Sequence, residues 1–172
     1  MQEWQCSPAT DSLHGSRPVS YTHLVMAGQN ITSADAIIEL VIAELYPSGF
    51  NLEQFEAQNI FEMGDTDTAE YQRTADGKLL GGFVYGDLPW TFHLAASSPS
   101  IKYIDNWQTT QMTTRSVLRV NGTVILPSLG KKYIMTNGIL QRARRMPSAG
   151  RVLQPVTGLI QWETVTPADY SA

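Results

Sequence analysis

One cysteine, three histidines and few charges among 172 residues set the first limits. Cys6 cannot close an internal disulfide, nor can a lone thiol anchor a thiolate metal site. No apolar run reaches the roughly 18–20 residues that a bilayer-crossing helix needs. The longest, Ala36 to Leu45, is interrupted by Glu39 and Glu44. No basic segment leads into an apolar stretch at the N-terminus, so a secretion signal is not expected and synthesis is assigned to the cytosol. Charged residues make 16% of the chain, against roughly 25% in an average soluble domain. Thr, Ser, Gln and Asn cover the surface instead, which suits an exterior largely covered by neighbours. Apolar residues, at 42%, suffice for one packed interior, and 19.0 kDa is the size of a single domain.

The net charge of −4 conceals a division along the chain. Residues 26–99 carry eleven carboxylates against Arg73 and Lys78, a balance of −9. Residues 100–172 carry nine Lys and Arg against Asp105, Glu163 and Asp169, a balance of +6. Such asymmetry marks either an interaction polarity or two halves that interleave in space and cancel.

Residues 1–25 show no apolar periodicity and read as a disordered or non-native arm. Met26 opens a normal-looking start, and residues 26–172 read as one β domain. Ala36 to Ala43 is short and rich in β-branched residues, hence a strand, followed by a turn at Tyr46-Pro47-Ser48-Gly49. Asp76-Gly77 separates the runs Glu70 to Thr74 and Leu79 to Tyr85 as a hairpin signal. Trp90, Phe92 and Leu94 alternate as on a half-buried strand. Ser98 and Pro99 announce a helix running to about Val117, with Ile101, Ile104 and Trp107 on its apolar stripe. Thr123 to Leu126 is a strand, and Asn137-Gly138 predicts a type I′ hairpin over residues 132–144. Leu159 to Trp162 forms the last strand. Seven or eight mainly antiparallel strands and one flanking helix make a β-sandwich or a partly closed barrel.

Searches for chemistry fail one by one. His93 stands alone on its strand, and His14 and His23 lie in the arm. Asp65-Thr66-Asp67 begins like a calcium loop, but Ala69 and Glu70 occupy positions that need an oxygen ligand and glycine. Gly130-Lys131 is followed by Lys132 where a phosphate loop needs Ser or Thr, and no Gly-x-Ser-x-Gly elbow occurs. No catalytic, cofactor-binding or metal-binding residues are therefore assigned. The basic residues Arg142, Arg144 and Arg145, with Lys131 and Lys132, lack the interleaved aromatics of a nucleic-acid surface. They are the candidate inter-subunit contact, facing the acidic half of another copy.

Several segments together carry a resemblance: Ile31-Thr32-Ser33-Ala34-Asp35-Ala36, Ala75 to Val84, Pro127 to Tyr133 with Thr136-Asn137-Gly138, and Val152-Leu153-Gln154-Pro155. Over residues 26–165 the chain resembles small structural proteins of tailed bacteriophages. It is similar to tail tube subunits, which are sometimes labelled tail or tail fibre proteins. The resemblance implies a β-sandwich with a flanking helix, in hexameric rings stacked into a tube in the virion tail. Its partners would be itself and other tail proteins. DNA would pass without specific binding, and no membrane, cofactor or catalytic residue is implied. A tail adaptor or fibre-associated module that does not polymerise is the alternative, and an enzyme centred on His93 a remote third.

Overall fold

The β-branched run after Ala36 forms β1 (Ile37–Ile42), with Ile38, Leu40 and Ile42 turned inward and fully buried. In this computed structural model, residues 35–171 are described. The arm at 1–25 and the start at Met26 lie outside them. The expected turn at Tyr46 to Gly49 is instead part of β2 (Tyr46–Asn51), and the chain reverses earlier, over residues 43–45. Pro47 is tolerated there because β2 is an edge strand whose one partner is β1, so a missing N–H breaks no ladder.

The chain continues through β3 (Phe61–Met63), β4 (Ala69–Arg73), β5 (Leu79–Phe83), β6 (Leu88–Leu94), α1 (Ile101–Thr114), β7 (Arg119–Leu126), β8 (Lys131–Ala143), β9 (Val156–Trp162) and β10 (Thr164–Asp169). The described residues thus hold ten strands, more than expected. Three residues of β3 are too few to show alternation. β10 contains Pro167, which the edge position again excuses, since β10 pairs with β8 alone.

The main sheet runs β2-β1-β7-β8-β9-β6-β3, with β10 also on β8, while β4 and β5 pair only with each other. The main sheet does not close into a barrel; it folds over as a sandwich. β8 makes the fold-over possible. Its first half pairs with β10, from Asp169↔Lys131 to Thr164↔Thr136, and its second half pairs with β9, from Ile139↔Gln161 to Ala143↔Gly158. Between the halves sits Asn137-Gly138, which is no hairpin turn. Only Asn137 takes positive φ (56°), and its N–H is received by Asn121 Oδ1 at 3.0 Å. The pairing with β7 slips between Val120 and Gly122, so the dipeptide is a bulge that bends a continuous strand. Gly138 is needed for space, because a Cβ there would lie 2.5 Å from Cε3 of Trp162.

Trp90, Phe92, Val120, Val124, Met135, Ile160 and Trp162 fill the core, and α1 closes one side with Ile104 and Trp107. The helix begins at Ile101, two residues later than expected. Ser98 does not cap it; the buried Ser98 hydroxyl donates to the Glu53 carbonyl and accepts the Ser100 N–H at 3.2 Å. Ser100 Oγ accepts the Glu53 N–H at 2.9 Å and donates to the Asn51 carbonyl at 3.3 Å. The two serines therefore fasten the helix start to the segment after β2. Arg115, in the left-handed region at φ 52°, ends the helix before Val117.

Candidate inter-subunit surfaces

The five basic residues assigned to one contact do not come together. Lys131 and Lys132 open β8, whereas Arg142 lies at its far end and Arg144 and Arg145 just beyond it, roughly 30 Å away along an extended strand. Lys131 is also spent within the chain: it pairs with Asp169 across the β8–β10 ladder. The hydrogen bond and charge of Asp169 hold the Lys131 ammonium above its usual range, and Lys131 holds the Asp169 carboxyl below its own. It is the one ion pair among the described residues.

The arginines form the other group. Arg142 and Arg144, two apart on the same side of the chain, line a shallow depression of about 500 Å³ with Thr91, Thr157 and Leu159. Arg144 donates to Ser148 Oγ at 3.3 Å. Arg145 turns to the helix, donating from Nε to Gln108 Oε1 at 2.9 Å and from Nη2 to Met112 Sδ. None meets a carboxylate of the described residues, and residues 106–162 contain no Asp or Glu at all. The two halves of the chain do interleave, since β1 pairs with β7 and β6 with β9. Local charge nevertheless survives. Residues 64–87 hold five carboxylates against Arg73 and Lys78. Asp65, Asp67, Glu70 and Asp87 line a cleft of about 710 Å³ at the root of β4 and β5.

Sequence reasoning missed the most prominent surface. β4 and β5 form a hairpin in which every strand residue is exposed. The register pairs Tyr71 with Gly81, Ala69 with Phe83 and Arg73 with Leu79, so these side chains share one face. Tyr71 is 79% exposed and Phe83 73%; Tyr85, edge-on to Phe83 with centroids 5.0 Å apart, is 93% exposed. The alternation was present in the sequence, but it does not say which face lacks a cover. The loop 144–155 likewise exposes Met146, Val152 and Leu153.

His93 has a buried Nε2 with no hydrogen-bond partner among the described residues. Among the described residues, no three His, Cys, Asp or Glu side chains are placed to hold a metal ion, Asp65 and Asp67 included. No helix of the described residues is long and apolar enough to cross a membrane.

The sandwich thus turns an exposed hairpin and a group of arginines with no carboxylate partner among the described residues outward. The family model of Tail fiber protein gp32 matches residues 29–166. The chain belongs to that family and is a phage tail-type structural protein. Its fold is similar to a chain of the sheath-tube complex of an extracellular contractile injection system, PVC, in the extended state. That match has a TM-score of 0.56 and 10% identity, covering 83% of this chain and 94% of that one. A chain of the PVC sheath/tube terminator gives 0.55 at 10% identity, covering 80% and 96%. A chain of the anti-feeding prophage cap gives 0.53 at 9% identity, covering 92% and 96%. At such identities the likeness is one of fold. None of the curated proteins matches the chain.

Proposed function

We propose that this protein is a tail tube subunit that stacks, as hexameric rings of identical copies, into the DNA conduit of the virion tail. The observation that carries this reading is the β4–β5 hairpin. An isolated two-stranded sheet is at best marginally stable in water, and this one spreads aromatic side chains into solvent on the side away from any core. A neighbouring subunit is the cover that such an element needs. The similarity to chains of sheath-tube and terminator assemblies supports the same direction. An acidic chain also suits a conduit, since a net charge of −4 disfavours tight phosphate binding. The protein would be made in the host cytoplasm, join other tail proteins, and perform no catalysis.

The family's own description as a tail fiber protein favours a second reading, a fibre-associated or adaptor module that does not polymerise. Negative-stain electron microscopy of the purified protein separates the two. Rings or stacked tubes are expected; a discrete monomer or trimer at all concentrations overturns the tube and leaves the module.

A further inference from the structure

The hairpin and the arginine loop lie at opposite ends of one sheet. The hairpin springs from the end where Leu88 pairs with Trp162, and the loop 144–155 joins β8 to β9 at the end where Leu94 pairs with Val156. Seven residues of β6 separate them, about 20 Å, so neither can cover the other within one chain. Their chemistry matches all the same. The hairpin offers a face of Tyr71, Leu79 and Phe83, with Arg73 at its tip end and carboxylates at its root. The loop offers Met146, Val152 and Leu153 beside Arg144, Arg145 and Arg151, with no carboxylate of its own. The loop is internally ordered, by a bridge between Ala149 and Leu153 and a hydrogen bond from the Gln154 N–H to the Ser148 carbonyl at 2.9 Å.

A third observation marks the hairpin as a seat. Gly81 and Gly82 lie in mid-strand, outside the left-handed region, and a Cβ at either would meet no atom of the described residues within 4 Å, its chain neighbours aside. Glycine weakens a strand, and in such a place it marks the close approach of another backbone or ligand. Nothing among the described residues approaches. The open space over Gly81 beside Tyr71, between Leu79 and Phe83, has room for a group from outside.

We infer that the β4–β5 hairpin of one copy receives the 144–155 loop of the next. Aliphatic side chains of the loop seat over Gly81 against Tyr71 and Phe83, and Arg144, Arg145 and Arg151 face Asp65, Asp67 and Asp87. This deepens the tube reading and rests on it. Hairpin-to-hairpin pairing would bring acid against acid, whereas hairpin-to-loop pairing brings opposite charges together. It is also heterologous, so every copy keeps one free partner surface at each end, and the contact propagates.

Three variants of the full chain test it by light scattering of assembly, each with a melting curve. Gly81→Val fills the seat, and its Cβ meets no described atom within 4 Å beyond its chain neighbours, so it should melt like the parent or higher and lose at least about tenfold in association, the loss expected of a spoiled central contact. Tyr71→Asp with Phe83→Asp disables the hairpin, and Val152→Asp with Leu153→Asp disables the loop. Neither should assemble alone. Mixed, they should form discrete heterodimers by light scattering, because each retains the half that the other lost. A parent that stays monomeric overturns the pairing together with the tube. A parent that assembles while Gly81→Val assembles equally well, or disabled variants that fail to pair when mixed, overturn the pairing and leave the tube standing.

Discussion

Single residues here act through the space that they leave or the charge that they hold. Gly138 was expected to need positive φ in a turn; it lies instead in mid-strand under the Trp162 indole. Gly138→Val is therefore expected to destabilise by about 1–3 kcal/mol through overpacking against Trp162 and Ile160, not through backbone strain. A urea midpoint unmoved from the parent value would contradict that contact. The Lys131–Asp169 pair gives a pH signature with two limbs. Asp169 is held low, so its contribution is present above the usual carboxylate range and is lost as pH falls through the depressed value. Lys131 is held high, so its contribution is present below the usual lysine range and disappears as pH rises through the raised value. Both groups are exposed, so the effect is small and screened by salt. Asp169→Asn should flatten both limbs of a melting-temperature profile taken at low salt, and identical profiles would show the pair to be idle.

Among the elements, α1 and the hairpin are opposites. The helix is held by Ile104 and Trp107 beneath it and by the two serines at its start, while its Thr-rich face stays in solvent. Thr110, Thr113 and Thr114 return their hydroxyls to carbonyls four residues back, so polarity on that face asks for no outside partner. Trp107→Ala should cost about 3–5 kcal/mol, as removal of a fully buried aromatic does. Ser98→Ala, which strips the Glu53 carbonyl of its buried donor, should cost about 1–3 kcal/mol. Thermal or chemical denaturation checks both, and a Ser98→Ala variant as stable as the parent would mean that the helix start is held by packing alone. The hairpin contributes nothing comparable to the core, which is why its substitutions should register in assembly and leave melting alone.

At the scale of the whole molecule, the question is whether charge acts between copies or within one. The structure shows a single intrachain ion pair among the described residues, and none of the arginines takes part in it, although Arg142 lines one depression with Glu62 and Asp65. Reversing Arg142, Arg144 and Arg145 to Glu should leave a folded chain that assembles more slowly than the parent at low salt. The gap should narrow as salt rises, because interface charges act on encounter over a screening length of about 8–10 Å. Growth rates equal to the parent at low salt would remove charge from the account of assembly. A lowered melting temperature with unaltered growth per folded molecule would instead return the charges to the interior bookkeeping of one subunit.

Periodicity and turn chemistry by themselves determined that this chain is mainly β with one helix, that Trp90, Phe92, Leu94, Ile104 and Trp107 face inward, and that Asp76-Gly77 turns a hairpin. Those are local matters, settled by side chains two or four residues apart. The sequence also carried the resemblance to phage tail proteins and the unequal sharing of charge. It could not say that Asn137-Gly138 is a bulge, since a positive-φ dipeptide serves a turn or a bend equally well until Trp162 occupies the space above it. Nor could it separate Lys131 from Arg142, because only the unbroken length of β8 puts them at different ends. The uncovered face of the β4–β5 hairpin belongs to the same class: alternation defines two faces, and only the path of the surrounding strands decides that neither is buried.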